Sequence, residues 1–239
     1  MSPTELSDTL AFILYSHSSL EWVLPAFVGQ QQECFPILCP KYLFYDRYLD
    51  IAEYDCKVYL EEDKYSKRLL TCLEQVEEDF VIIHHEDMIF FDDVDMDHFR
   101  YYLEIMRTSD ISYLKLLKGG LSQQPAQEYM KGVQKLQDDE PYRYAVQPAI
   151  WRKTDLLKIL KQFDNNSIYE LEVGGVAQFM VDNGYKCLFA FNEGDKKRGM
   201  YHWDNSKYPF IATALNKGEW NMVEYDIEIE NIKSEYNLK

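Results

Sequence analysis

The sequence is short of positive charge. Its 239 residues include 25 lysines and arginines against 41 aspartates and glutamates, which gives a formal net charge of -16. Because binding along a phosphate backbone needs many clustered cations, this balance argues against DNA or RNA as a partner. Glycine is also scarce, with 10 residues, and no glycine-rich loop of the phosphate-cradling kind is present.

Cysteine and long apolar runs are equally limited. The five cysteines are odd in number and include no Cys-x-x-Cys pair, so neither a disulfide framework nor a zinc site is indicated. The N-terminal apolar run covers only Leu10 to Tyr15, far shorter than a membrane span, and no basic region precedes it. With 46% hydrophobic residues, the chain can bury one sizeable core. We therefore expect a single domain over residues 1–239, with no transmembrane segment, in a reducing cytoplasm.

The first half of the chain alternates between strand and helix patterns. Short apolar runs predict strands in "TLAFILY", "CFPILCP", "CKVYL", "FVII" and "ISYLKLL", and helical spacing predicts helices in "LEWVLPAFVGQ", "DKYSKRLLTCLEQVEED" and "MDHFRYYLEIMRTS". The continuously apolar "FVII" indicates a central strand covered on both faces. Such alternation predicts an α/β fold, a mostly parallel central sheet flanked by helices, with ligands bound at the carboxyl ends of the strands.

The second half contains a long polar segment between predicted elements. Residues 118–142 are polar and carry Gly119, Gly120 and Pro125, which predicts a mobile loop. Beyond it, "YAVQPAIW" reads as extended, "KTDLLKILKQF" as a helix, "LEVGGVAQFMVDNG" as one helix stopped by Gly184, and "YKCLFAF" as a strand.

The stretch "FVIIHHEDMIFFDDVDMD", residues 80–97, gathers six acids in two groups. The aspartates of "DDVDMD" flank a predicted helix start, where carboxylates cap free amides, and Asp95 is the expected N-cap. Glu86 and Asp87 instead come directly off the buried strand. Two adjacent carboxylates repel one another unless a proton or a divalent ion such as Mg²⁺ or Mn²⁺ compensates. The pattern predicts a metal site, with an acidic surface turn as the alternative.

Several motifs in a fixed order resemble one family. A Tyr-Ser-x-Arg-Leu helix, here Tyr65 to Leu69, leads into His-Glu-Asp-Met, here His85 to Met88. "VQPAIWRKTDLL", "NNSIYELE" and "RGMYHWDNSKYPFIATALNKGEWN" follow. The chain from about Ser16 to Trp220 is similar to small nucleotide-sugar glycosyltransferases of the GT-A fold from bacteria and large DNA viruses. It departs from them at Tyr169, where that group has tryptophan, and in lacking a strict Asp-x-Asp.

This resemblance implies an activity and a metal site. The family transfers a sugar from a nucleoside diphosphate donor to a glycan acceptor hydroxyl, with inversion, in surface polysaccharide or glycoprotein glycan synthesis. By carry-over, Mn²⁺ or Mg²⁺ on Asp87 and Glu86 would hold the diphosphate, and His202 would be a late ligand. A structural histidine beside Trp203 is the alternative for His202.

The same resemblance implies donor and catalytic residues. Ser16, His17 and Ser18 would lie near the nucleoside, although they also suit a helix N-cap. Tyr65 belongs to the helix motif, and Arg68 would hold phosphate or pair with an acid such as Glu61.

Glu172 would be the base that accepts the acceptor's proton, with Glu170 in reserve. Both acids also suit a helix N-terminus.

Two other interpretations stay open. One is a catalytically idle nucleotide- or glycan-binding module on the same fold. The other is a nucleotidyltransferase or phosphoesterase, which would normally show a glycine-rich phosphate loop or more metal ligands. The nucleotide of the donor, whether UDP, GDP or dTDP, is not determined by the sequence.

Overall fold

The computed structural model describes residues 9–119, 127–140, 142–199 and 202–238. Within these residues nine strands form one sheet: β1 (Leu10–Tyr15), β2 (Lys41–Tyr45), β3 (Tyr54–Val58), β4 (Phe80–His85), β5 (Tyr113–Lys115), β6 (Glu128–Met130), β7 (Val133–Lys135), β8 (Ala149–Arg152) and β9 (Cys187–Ala190). Four two-residue strands form two separate ladders: β10 (Lys197–Arg198) with β11 (His202–Trp203), and β12 (Leu215–Asn216) with β13 (Glu219–Trp220).

Helices connect and cover the strands. A 3₁₀ helix (Ser18–Val23) leads into α1 (Leu24–Cys34), and the α-helices that follow are α2 (Tyr65–Leu73), α3 (Met96–Thr108), α4 (Lys153–Gln162), α5 (Ile168–Val173), α6 (Val176–Asp182) and α7 (Asp226–Tyr236). In the described parts of the chain, no helix combines the length and the apolar character needed to cross a lipid bilayer.

The sheet is mostly parallel, as predicted. Its strand order is β3-β2-β1-β4-β8-β5-β9-β7-β6. The four strands from β3 to β4 pair in parallel, and β5 pairs in parallel with β9. Because β8 is antiparallel to both β4 and β5, the segment that enters β8 lies at the same sheet edge as the carboxyl ends of its neighbours. This edge therefore collects residues from distant parts of the sequence.

Burial on both faces explains the uninterrupted apolar strands. In β1, Phe12 packs into one core with Phe27 of α1 and Phe99 of α3. The next residue, Ile13, packs into a second core on the opposite face with Leu69 of α2. Side chains alternate across a strand, so a central strand with two covered faces is apolar at most of its positions.

Three sequence predictions differ from the structure. The second strand is Lys41–Tyr45 and not "CFPILCP", whose prolines at 36 and 40 lack amide donors for a ladder. The predicted helix over 171–184 divides into α5 and α6 at Gly174 and Gly175. Part of the predicted mobile loop at 118–142 forms the hairpin of β6 and β7 at the edge of the sheet, and its residues 120–126 and 141 lie outside the described residues.

Candidate functional site

Glu86 and Asp87 follow β4 at the carboxyl edge of the sheet. Glu86 is buried and Asp87 is partly buried, and within the described residues neither carboxylate forms an ion pair. Burial, together with the neighbouring charge of Asp87, raises the pKa of Glu86 to about 8. Burial likewise raises the pKa of Asp87 to about 7. The fold thus holds two acids where their ionisation is costly without a compensating positive charge.

The two histidines before this pair anchor the end of the strand. His84 points into one core, where its ring nitrogens bond to the carbonyl oxygen of Met88 and the hydroxyl of Tyr208, both at 2.9 Å. His85 faces the other core, where Nε2 lies 3.0 Å from the hydroxyl of Tyr65. Tyr65 is buried, and its hydroxyl contacts His85, the residue before Glu86. Its predicted contact with the donor stays a prediction.

The structure also contains a cavity of about 530 Å³. Its wall includes residues from both halves of the chain: Lys115, Gly119, Glu140, Tyr142, Ala145, Gln147, Glu172, His202, Thr213, Asn216, Asn221, Val223 and Glu224. The wall residue Thr213 is close to the acids along the chain contacts. The amide of the next residue, Ala214, donates a hydrogen bond of 2.8 Å to the carbonyl oxygen of Asp87. The volume is in the range of small-ligand sites.

Glu172 and Glu170 occupy different environments. Glu172, in α5, lines the cavity, and its Oε1 accepts a hydrogen bond of 2.9 Å from the amide of Val146. Burial raises the pKa of Glu172. Glu170 is exposed and completes a capping box with Ser167, and it also pairs with Lys64 at 3.0 Å. The structure therefore brings Glu172, but not Glu170, to the cavity.

His202 lies on the same cavity wall. Its ring stacks on Tyr225, and Nε2 lies 3.2 Å from Glu224 Oε2 without forming a hydrogen bond. Burial lowers the pKa of His202 to about 4, so its imidazole is neutral at physiological pH. Among the described residues, Glu86, Asp87 and His202 do not converge into a group of metal-ligating atoms within 4.8 Å of one another. The role of His202 as a ligand stays a prediction.

The loop after β1 is tied to the end of β2. Asp46 accepts hydrogen bonds from the amide and the hydroxyl of Ser18, both at 2.7 Å. His17 caps the 3₁₀ helix, and its Nε2 lies 3.4 Å from Glu61 and 4.0 Å from Asp46. Ser16 is buried, and in the described part of the chain its hydroxyl has no hydrogen-bond partner. Sequence reasoning missed Asp46, although an acid directly after an apolar strand was the available signal.

Arg68 is held by backbone oxygens. Its Nε donates to the carbonyl of Asp63 at 2.7 Å, and Nη2 donates to the carbonyl of Glu61. The guanidinium also lies 5.2 Å from the ring centroid of Tyr59. Arg68 therefore closes the turn before α2, and it meets the backbone of Glu61, not its carboxylate. Its predicted contact with phosphate is not tested by this arrangement.

Lys115 in β5 is a cavity residue that sequence reasoning also missed. It is 3% exposed, in a strand that otherwise reads as apolar. A charged residue inside an apolar strand pattern was the signal that could have found it.

The donor set of the acidic pair fits a divalent cation. Carboxylate oxygens are the ligands that Mg²⁺ and Mn²⁺ prefer, and a cation would stabilise the ionised form of both carboxyls, whose pKa values are raised chiefly by burial. Glu86 and Asp87 are therefore the residues that would hold such an ion.

Comparison with known proteins establishes the fold. No protein-family profile matches the chain, and no curated protein matches it significantly. Among solved structures, S. aureus TarS 1–349 in complex with UDP-GlcNAc matches with a TM-score of 0.54 at 13% identity, over 95% of this chain and 65% of that chain.

Nucleotidyltransferases also match. A cytidylyltransferase from Leptospira borgpetersenii serovar Hardjo-bovis matches with a TM-score of 0.47 at 11% identity, over 97% of this chain and 96% of that chain. The 4-diphosphocytidyl-2C-methyl-D-erythritol synthase of Anaerococcus prevotii matches with a TM-score of 0.46 at 13% identity, over 77% and 87%. The chain has an α/β fold, with a mostly parallel central sheet flanked by helices, similar to that of S. aureus TarS 1–349.

Proposed function

We propose that the protein is a glycosyltransferase that moves a sugar from a nucleoside diphosphate donor to a hydroxyl of a glycan acceptor, with inversion. The observation that carries this proposal is that Glu86 and Asp87 follow β4 at the carboxyl edge of the sheet. The backbone of Asp87 bonds there to Ala214, the residue after Thr213, and Thr213 and Glu172 line the same cavity. The fold shared with a protein bound to UDP-GlcNAc supports it. The order of the family-like motifs supports a glycosyltransferase over a nucleotidyltransferase.

In this reaction the bond between the anomeric carbon and the diphosphate oxygen breaks, and its electrons leave with the oxygen. The acceptor oxygen forms the new bond and loses its proton. Glu172 is the proposed acceptor of that proton. In support, one of its carboxylate oxygens accepts a hydrogen bond from the amide of Val146 and its side chain lines the cavity. Its raised pKa makes it a better proton acceptor than an exposed carboxylate.

The leaving diphosphate needs positive charge near it. Glu86 and Asp87 would hold the Mn²⁺ or Mg²⁺ ion that, when bound, stabilises the charge on the leaving oxygen. The hydrogen bond between His85 and Tyr65 holds the end of β4, the strand that leads to this pair, in place. The loop from Ser16 to Ser18, tied to Asp46, is the proposed nucleoside contact.

Thermal melting with nucleoside diphosphates tests this proposal. A ligand that binds only the folded state raises the melting temperature. UDP, GDP and dTDP, each with and without Mn²⁺, are the probes, and we expect one of them to raise Tm more with Mn²⁺ than without it. The Asp87→Asn variant should lose the Mn²⁺-dependent part of that shift.

Asp93→Asn is the matched control, since Asp93 is an exposed acid of the same stretch. It should keep the full shift. If no diphosphate raises Tm at saturating concentration, the proposed activity is wrong and the alternative of an idle assembly module gains support. If Asp87→Asn keeps the whole shift, the cation binds elsewhere.

A further inference from the structure

One wall residue of the cavity is a buried lysine. Lys115 is 3% exposed and lines the cavity. In the described parts of the chain, its ammonium forms neither an ion pair nor a hydrogen bond. A buried cation without a partner is costly, and proteins retain such groups chiefly where a ligand supplies the opposite charge.

The other cations around the cavity already have partners. Arg198 pairs with Asp204 and Glu228 and stacks on Tyr225. Lys118, three residues after Lys115, leaves the cavity and covers the rings of Phe191 and Trp203 at 4.5 and 5.0 Å. Among the described residues that line the cavity, Lys115 is therefore the lysine or arginine whose charge faces it.

The backbone leaves the ammonium open on one side. Gly119 lines the cavity, and a Cβ atom at this position would lie 3.7 Å from Lys115 Nζ and 3.8 Å from Glu140 Oε1. Any side chain larger than a methyl group there would cover the lysine. Burial lowers the pKa of Lys115 to about 8, while the charges of Glu172 and Glu140 act in the opposite direction, so the group is mainly an ammonium at neutral pH.

The surroundings of Lys115 indicate which ligand group it meets. Gly119 bridges to His202 in the backbone, and the positive charge of Lys115 contributes to the lowered pKa of His202, after burial. On another side, Lys115 interacts electrostatically with Glu172. The charge of Lys115 thus interacts with both Glu172, the proposed base, and His202, the proposed late metal ligand. Negative charge develops on the diphosphate as the donor bond breaks, and a nearby ammonium would stabilise it.

We propose that Lys115 binds the distal phosphate of the nucleoside diphosphate donor, the phosphate that carries the sugar, and stabilises it as the leaving group. This inference rests on the proposed function. Lys115 would add a fixed charge on the cavity side of the diphosphate, separate from the acidic pair. It would also make the site prefer nucleoside diphosphates to monophosphates.

Isothermal titration with matched nucleotide pairs tests the role of Lys115. The pairs are UDP and UMP, GDP and GMP, and dTDP and dTMP, all with Mn²⁺, on the wild type, Lys115→Met and Lys118→Met. For the base that binds, we expect Lys115→Met to weaken diphosphate binding by about 10- to 100-fold. Monophosphate binding should stay within about twofold, because the nucleoside and first phosphate keep their contacts. Lys118→Met should change neither affinity.

Each other outcome overturns the inference in a recognisable way. If Lys115→Met keeps the diphosphate preference, Lys115 does not bind the distal phosphate, although the proposed function stands. If it weakens both members of a pair equally, its role is to shape the cavity. If it weakens only donors with a sugar carboxylate, tested with UDP-glucuronate against UDP-glucose, the anion recognised is that carboxylate. If the wild type binds no nucleotide, the proposed function fails and the inference with it.

A second variant protects the test against misfolding. Replacing a buried ammonium by an apolar group of similar length removes a desolvation cost, so Lys115→Met is expected to fold with an unchanged or higher Tm. Lys115→Gln gives the same comparison in a polar form. Loss of the diphosphate preference in every variant that folds supports the inference, and its retention in a folded variant contradicts it.

Discussion

Neighbouring residues of identical type can have opposite roles, and Glu170 and Glu172 show this at the scale of the residue. They lie two positions apart in α5, with Leu171 between them. Glu170 faces solvent, and the hydrogen bond from the amide of Ser167 lowers its pKa to about 2. Glu172 faces the cavity, and burial raises its pKa. A carboxylate with a raised pKa is a better proton acceptor than one with a lowered pKa.

This contrast predicts different effects of the same substitution. Glu172→Gln should lower kcat for sugar transfer by about 100-fold or more, because an amide cannot accept the proton. The donor KM and Tm should change little, since the amide oxygen can still accept the hydrogen bond from Val146. Glu170→Gln is the control and should keep full activity, because glutamine also completes a capping box. Equal losses in both variants would remove Glu172 from its proposed role.

Glu86 and Asp87 predict a dependence of stability on pH. Their pKa values in the folded protein, about 8 and about 7, lie above the ordinary values of 4.5 and 3.8. The unfolded chain therefore loses these protons first, and the free energy of unfolding should fall as pH rises from about 4 to 8. Mn²⁺ should raise Tm more at pH 8 than at pH 5.5, because protons compete with the cation for the same oxygens.

Melting curves across this pH range check the prediction. Glu86→Gln removes one of the two titrations, so its Tm should depend less steeply on pH than that of the wild type. A Mn²⁺ shift of the same size at both pH values would show that the cation does not bind to this pair.

At the scale of the element, the acids before α3 act as a helix cap. Asp95 accepts hydrogen bonds from the amide of His98 at 3.1 Å and from Lys207 at 3.0 Å. Asp95→Ala should therefore destabilise the protein by about 1 kcal/mol. Asp95→Asn keeps a capping side chain and should cost less.

Denaturant titration measures both effects, with Asp93→Ala as the exposed control. Nucleotide binding should survive in all three variants, since Asp95 does not line the cavity. A loss of Mn²⁺-dependent binding in Asp95→Ala alone would instead place the "DVD" acids in the site.

At the scale of the whole molecule, the net charge of -16 should weaken the folded state by self-repulsion. Salt screens this repulsion, so raising NaCl from low concentration to about 0.3 M should increase Tm by about 2 to 4 °C, which equals about 1 kcal/mol for a chain of this size. Differential scanning calorimetry without nucleotide checks this. A fall in Tm with salt would mean that attractive ion pairs outweigh the repulsion.

The sequence by itself determined the central strands and the position of the acidic pair. A strand buried on both faces is mostly apolar, and the apolar run before His84 placed Glu86 and Asp87 at a sheet edge before any contact was known. The cap at Asp95 was equally local, because an N-cap depends on the next three residues. The hydrophobic patterns predicted helix and strand bounds less well where glycine or proline interrupts the element, as at Gly174 and in "CFPILCP".

Tertiary structure alone decided which side chains share the cavity. Lys115 comes from β5, Glu172 from α5 and His202 from β11, and their meeting depends on strand pairings between distant segments, which no local pattern encodes. The turn that folds back onto Arg68 likewise decided that its guanidinium bonds to backbone carbonyls. A side chain's chemistry is written in the sequence, but the burial and the neighbours that set its charge arise only when the chain packs.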